Sequence, residues 1–106
     1  WIAPEFAGRG VTPTAVALTT DYLFAVVGLH RVQIDVRPEN AASLRVVKKL
    51  GFRYEGTKLG YIHINGDWRD HYSFAILSDE ADAGLMRKYS AGQIAEIAYP
   101  FEATDI

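Results

Sequence analysis

The sequence predicts one α/β domain with a mixed sheet, in the order β-α-β-α-β-β followed by a C-terminal helix. Three observations carry this. An alternating strand pattern, Arg31 to Arg37, lies between two stretches with helical apolar spacing. This early β-α-β arrangement implies parallel strands joined by a helical crossover. Asn65-Gly66 stands between two long strand-like runs, the strongest short signal for an antiparallel hairpin. Finally, the chain has 106 residues, 49% hydrophobic and 23% charged, which suits one folded domain and not two.

The elements follow in order. Trp1-Ile2-Ala3 reads as the end of a strand, and Pro4 to Val11 as a loop holding Gly8 and Gly10. A helix then begins with Thr12 as N-cap and Pro13 at the first helical position. It runs to about Val27, and Gly28 fits the left-handed residue just past its end. Val16, Leu23 and Val27 form its apolar stripe. In RVQIDVR, Val32, Ile34 and Val36 alternate with polar neighbours as in a half-buried strand, which Pro38 ends. Asn40 caps a helix over Ala41–Leu50, closed by Gly51, with Leu44, Val47 and Leu50 inward and Arg45, Lys48 and Lys49 in water. Two strands span about Tyr54–Ile64 and Asp67–Leu77. A two-residue type I′ turn between them sets the register: Ile64 opposite Asp67, His63 opposite Trp68, Ile62 opposite Arg69 and Tyr61 opposite Asp70. Ser78 is expected to cap a last helix, with Asp79, Glu80 and Asp82 in its first turn and Arg87 and Lys88 near its end. Gly92 to Ile106 reads as a partly ordered tail.

Composition excludes several functions. With 11 Lys and Arg against 13 Asp and Glu, the net charge is −2, and direct nucleic-acid binding is not expected. No cysteine is present, so disulfides, zinc thiolate sites and cysteine nucleophiles are ruled out. The longest apolar run, Tyr22 to Leu29, is far short of a membrane span, and no membrane role is expected. His30, His63 and His71 lack ligand spacing, so no metal is expected. The chain begins with Trp1 and shows no signal peptide, which suggests a processed or truncated piece.

Gly8-Arg9-Gly10-Val11-Thr12-Pro13 is the most informative stretch. Two glycines allow close backbone approach, and the loop opens directly onto a helix start. Exposed N–H groups and the positive end of the helix dipole make an anion site, to which Arg9 adds a charge. A plain strand-to-helix turn with an exposed arginine is the alternative. A Rossmann fingerprint would need a third glycine where Pro13 stands, and a Walker A motif would need Gly-Lys where Pro13-Thr14 stand. A dinucleotide or an ATP triphosphate is therefore not the anion.

Four pieces resemble, in order, the C-terminal half of the GCN5-related N-acetyltransferase (GNAT) superfamily. They are PEFAGRGV (Pro4–Val11), LHRVQIDVRPENAAS (Leu29–Ser43), VVKKLGFRYEG (Val46–Gly56) and INGDWRDH (Ile64–His71). The likeness is to the RimJ/RimL-type branch, which acetylates N-termini of ribosomal proteins. It covers Trp1 to Leu77 and stops before Asp79. It implies that 1–77 is the C-terminal part of an acyl-CoA N-acyltransferase fold, with 78–106 a C-terminal helix and tail. It also implies that Gly8, Arg9, Gly10, Val11 and Thr12 cradle the pyrophosphate of acetyl-CoA, the acetyl donor. Ala7 replaces the family's Gln or Arg and Thr12 its small last residue, but an amide cradle needs only backbone.

The implied reaction is attack of an amine on the thioester. It requires a neutral amine, a stabilised oxyanion and, optionally, an acid for the thiolate. The tyrosine acid of many relatives aligns with Val47 and is absent. The resemblance assigns the acid to Ser43 and a pantetheine contact to Asn40. The alternative is that Asn40 is only an N-cap and Ser43 an ordinary first-turn residue. A carboxylate used by relatives as base aligns near Ile62, where no acid stands. Asp70 is the nearest substitute and His71 the other option; as a plain hairpin charge, Asp70 would be solvated or paired with Arg. Glu55 reads as structural. Tyr54, Tyr61, Trp68 and Tyr72 read as hairpin packing, with Tyr61 and Trp68 also able to line an acceptor groove.

The expected function is acetyl transfer from acetyl-CoA to a primary amine, a protein N-terminus on a ribosomal protein, in the cytoplasm. A non-catalytic acyl-CoA-binding or assembly module is the runner-up. Most of the strand ending at Trp1 and the family's earlier elements would lie upstream, so the chain is expected to be a fragment. Self-association, or a partner supplying the missing half, follows from its uncovered edge and apolar faces.

Overall fold

A computed structural model describes residues 2–3, 12–95 and 97–102. Strand β1 (Ile2–Ala3) precedes helix α1 (Pro13–Tyr22), which continues as a π-helical turn over Leu23–Val27. Then come β2 (Arg31–Val36), α2 (Ala41–Lys49), β3 (Arg53–Ile64) and β4 (Asp67–Leu77). A 3-10 turn (Ser78–Ala81), α3 (Leu85–Ser90) and a second 3-10 turn (Pro100–Glu102) complete the order. The sheet runs β1-β2-β4-β3, with β1 parallel to β2 and the other neighbours antiparallel.

The helix boundaries rest on the predicted caps. The Thr12 hydroxyl accepts the Ala15 N–H at 3.1 Å, with Pro13 in the first turn. Gly28 closes the π-helical turn at φ 85°. Asn40 caps α2 by accepting the Ser43 N–H at 3.2 Å.

Strand β2 divides the sheet into two faces. Val32, Ile34 and Val36 lie opposite Ile76, Phe74 and Tyr72, and they join Val16 and Ala17 of α1 and Val46, Val47 and Leu50 near α2 in one core. Arg31, Gln33 and Asp35 lie opposite Leu77, Ala75 and Ser73 on the other face.

Three expectations need correction. The turn forms as predicted, with Asn65 at φ 51° and Gly66 at φ 86°, and the first three hairpin pairs hold. Tyr61, however, does not lie opposite Asp70. Lys58 pairs with His71 and Ile62 with Arg69, so Leu59, Gly60 and Tyr61 bulge against Asp70 alone. The bulge is stabilised locally: Gly60 adopts φ 53°, and its N–H donates to Asp70 Oδ1 at 2.8 Å.

Ser78 does not cap a long helix. Glu80 Oε1 accepts the Leu77 N–H at 2.8 Å and tightens the chain into a 3-10 turn, which Gly84 (φ 94°) separates from α3. Asp21 caps α3 from α1, accepting the Leu85 and Met86 N–H groups at 2.7 and 3.0 Å. The tail is more engaged than its weak periodicity predicts. Tyr99 is buried and donates its hydroxyl to the Phe52 carbonyl at 2.6 Å. Phe101 stacks on Tyr72 at 4.0 Å between ring centroids. These rings pack on Tyr54, Tyr72 and Phe74 of β3 and β4, and that gain in buried aromatic area orders a segment whose regular structure is one 3-10 turn.

Candidate active site

The predicted anion cradle is described only at its end. Gly8, Arg9, Gly10 and Val11 lie outside the described residues. Thr12 is described, and its hydroxyl serves the first turn of α1.

At the start of α2 the structure joins two predicted residues. Asn40 is drawn into capping by its own helix, and the Ser43 N–H it accepts fixes Ser43 in the first turn. Ser43 is only 2% exposed, and its Oγ has no hydrogen-bond partner among the described residues. A buried hydroxyl with no partner costs about 1–3 kcal/mol. Such an atom in a helix turn that follows the end of a central strand fits a ligand able to accept or donate one hydrogen bond there.

Asp70 lies in the hairpin, away from the Ser73 position that pairs with Asp35. It is exposed in the hairpin, engaged by the Gly60 N–H, and three residues along β4 from Ser73. That separation is about 10 Å at the usual strand rise. His71 is fully buried, with its Nδ1 3.3 Å from the Arg69 carbonyl and its ring edge-on to Tyr61 at 5.5 Å.

The second face of the sheet brings forward a residue that the sequence does not single out. Asp35 is 3% exposed, the most buried carboxylate among the described residues. It stands one position beyond Ile34, the last described partner of β1. Gln33 Nε2 donates to its Oδ1 at 3.1 Å, and Lys58 Nζ to its Oδ2 at 3.2 Å. Arg31 donates to Gln33 Oε1 at 3.0 Å and to both oxygens of Glu55 at 2.5 and 3.1 Å. Arg53 bridges Glu55 and Glu80. Hydrogen bonds from Arg31, and then Arg53, hold the Glu55 carboxyl down at a pKa of about 2. Asp35 therefore ends a tethered row of polar groups. Its only sequence signal is the polar alternation Arg31, Gln33, Asp35, which strand patterning assigns to water.

Ser43 and Asp35 are thus set on the two faces of the sheet, Asp35 next to the last residue of β2. Ser43 belongs to α2 on the apolar face, and Asp35 to the polar face. Among the described residues no cluster of His, Cys, Asp and Glu could hold a metal ion. No helix among them is long and apolar enough to cross a membrane.

This arrangement is part of the GNAT fold. The family described as acetyltransferase (GNAT) domain matches residues 1–53, half of the chain, and the chain belongs to that family. Spermidine N(1)-acetyltransferase of Escherichia coli is 33% identical over 79 residues, which cover 74% of this chain and 42% of the relative. The probable N-acetyltransferase YjcK of Bacillus subtilis is 42% identical over 73 residues, covering 69% of this chain and 40% of YjcK. The structure of Mycobacterium smegmatis RimJ in complex with CoA-disulfide matches with a TM-score of 0.72 and 38% identity, over 81% of this chain and 42% of RimJ. The chain spans about two-fifths of the length of these proteins.

Proposed function

We propose that this chain carries the C-terminal part of an acetyl-CoA-dependent N-acetyltransferase that acts on a primary amine in the cytoplasm. The observation that carries the reading is the buried Ser43 hydroxyl in the first turn of α2, which has no hydrogen-bond partner among the described residues. Acetyl-CoA supplies the activated acetyl group when bound. Ser43 would meet its sulfur and Asn40 its pantetheine arm, with the loop 8–12 at its pyrophosphate.

The chain's own residues divide the proton work by face. The Ser43 O–H is held in a dry setting, suited to donate a hydrogen bond to a departing thiolate. A carboxylate base must reach the amine from the other side, so that attack and departure are not crowded together. Asp35 suits that role better than Asp70, because it is buried and held by Gln33, whereas Asp70 is tied to the hairpin bulge.

A protein N-terminus is the favoured acceptor. Leu59, Ile62 and Trp68 are exposed on the hairpin, a surface that suits a peptide better than a polycation such as spermidine. The rest of the relatives' length is supplied, on this reading, by a further segment or a second chain. The engagement of Asp35 by Lys58 favours a second reading, a module that binds acyl-CoA without turnover.

Calorimetric titration of the chain with acetyl-CoA, followed by an assay of CoA release with a panel of amines, tests both. Saturable binding and amine-dependent release support the enzyme. Binding without release with any amine selects the module. Absence of binding, also when the remaining family segment is supplied, rejects both.

A further inference from the structure

We infer that the Asp35 carboxylate and the ring of Tyr61 form a binding site for a primary ammonium group, and that Lys58 fills it as a removable internal occupant. The inference rests on the acetyltransferase reading only in naming the outside ligand as the acceptor amine; the site itself is argued from its own geometry.

A buried carboxylate needs a cation or several donors. Gln33 satisfies Oδ1 of Asp35 and is itself held by Arg31, which Glu55 grips with both oxygens. That row fixes the carboxylate with Oδ2 turned to the cation. Lys58 Nζ lies 3.2 Å from Oδ2 and 4.5 Å from the centroid of the Tyr61 ring. The second distance falls inside the range of about 6 Å over which an aromatic face attracts an ammonium.

The bulge in β3 explains why Tyr61 is available. By simple alternation from Lys58, which faces His71 across the ladder, Tyr61 would point to the other face of the sheet. The extra residues bring its ring instead against His71 and under the Lys58 ammonium. Asp70 fastens this bulge through the Gly60 N–H. It therefore serves the site as a positioning residue.

The occupant is the exchangeable part. The Lys58 side chain is 34% exposed, and the Asp35 side chain beneath it is 4% exposed. Lysine reaches the site on a flexible four-carbon stem from the solvent side, so it can swing out while Asp35, Gln33 and Tyr61 stay in place. An entering amine of the same charge and size would find the same carboxylate oxygen and the same ring. The buried charge is then compensated before and after exchange.

The test uses n-butylammonium as probe, with no acetyl-CoA present, and compares the chain with Lys58→Met by calorimetric titration. Removing the internal competitor should tighten probe binding roughly five- to tenfold, from the size of a partly exposed ion pair plus a cation–π contact. Adding Asp35→Asn to Lys58→Met should abolish the gain, and adding Tyr61→Leu should reduce it. Equal affinity in the parent and Lys58→Met, or a gain that survives Asp35→Asn, overturns the proposal. Should Lys58→Met unfold for want of a cation, millimolar n-butylammonium should restore its folding transition and Lys58→Gln should do so in part; no recovery by either route also overturns it. Probe binding with no amine-dependent CoA release would defeat only the acetyltransferase reading. Turnover with unchanged amine affinity in Lys58→Met would defeat only the ammonium site.

Discussion

Replacing Ser43 with alanine should make the chain more stable and its acetyl-CoA site worse. Ser43 is 2% exposed, and its Oγ has no hydrogen-bond partner among the described residues. Removing an unpaired buried hydroxyl recovers about 1–2 kcal/mol of desolvation. Alanine adds roughly 0.5 kcal/mol of helix propensity at the same position. The two together predict a rise in melting temperature of about 6–11 °C for a chain of this size. The backbone N–H of residue 43 still donates to Asn40 Oδ1, so the cap is unaffected. The loss appears only with ligand: one missing hydrogen bond weakens acetyl-CoA binding about fivefold. Thermal unfolding without ligand and calorimetric titration with acetyl-CoA read the two effects separately. A purely structural serine would behave otherwise. Lower stability in Ser43→Ala would mean that the hydroxyl has a structural partner, and unchanged acetyl-CoA affinity would remove it from the ligand site.

The other expectations concern the base, the tail and the acid limb. Asp35→Asn should lower turnover by about a hundredfold or more if Asp35 is the base; Asp70→Asn, which can still accept the Gly60 N–H, should change it by no more than a few-fold, and steady-state kinetics across pH compare the two. Tyr99→Phe leaves the buried Phe52 carbonyl without the hydroxyl that bonds it at 2.6 Å, so denaturant unfolding should show a loss of about 1–2 kcal/mol. Glu55 has its pKa lowered from 4.5 to about 2 by hydrogen bonds from Arg31 and Arg53. A depressed carboxyl stabilises the fold above its unfolded pKa, so this contribution is present at neutral pH and is lost as pH falls from about 4.5 towards 2. After solvent screening it amounts to about 1–2 kcal/mol, and Glu55→Gln should flatten that part of the stability curve measured by unfolding.

Local chemistry was legible in the sequence, and contacts between distant segments were not. The hairpin turn depends only on Asn65 and Gly66 accepting positive φ, and three pairs of register follow from it. The bulge beyond them depends on Gly60 together with a side chain from the facing strand, and no alternation pattern encodes that. Asn40 and Thr12 were legible as caps because each serves its own helix. The start of α3 is not legible in the sequence, because its N–H groups are capped by Asp21, which belongs to α1 and meets it only in the folded chain. The tail is hidden for the same reason: Tyr99 and Phe101 stack on each other and pack on rings of β3 and β4, and the Tyr99 hydroxyl reaches the Phe52 carbonyl just before β3.

The candidate site divides along the same line. Ser43 is found by its place after Asn40, but its burial follows from how α2 lies on the sheet. Asp35 is hidden from sequence reading because a strand that alternates Val32, Ile34 and Val36 with Arg31, Gln33 and Asp35 is ordinarily wet on its polar side. Its facing partners on β4 are what change this. Ser73 and Ala75, opposite Asp35 and Gln33, are small and buried, which leaves room beside them for the Asp35 and Gln33 side chains. The same carboxylate between bulky neighbours would be pushed into solvent. Between small ones it is covered by Lys58 and held by Gln33, which turns an ordinary strand residue into a buried anion that needs a cation beside it.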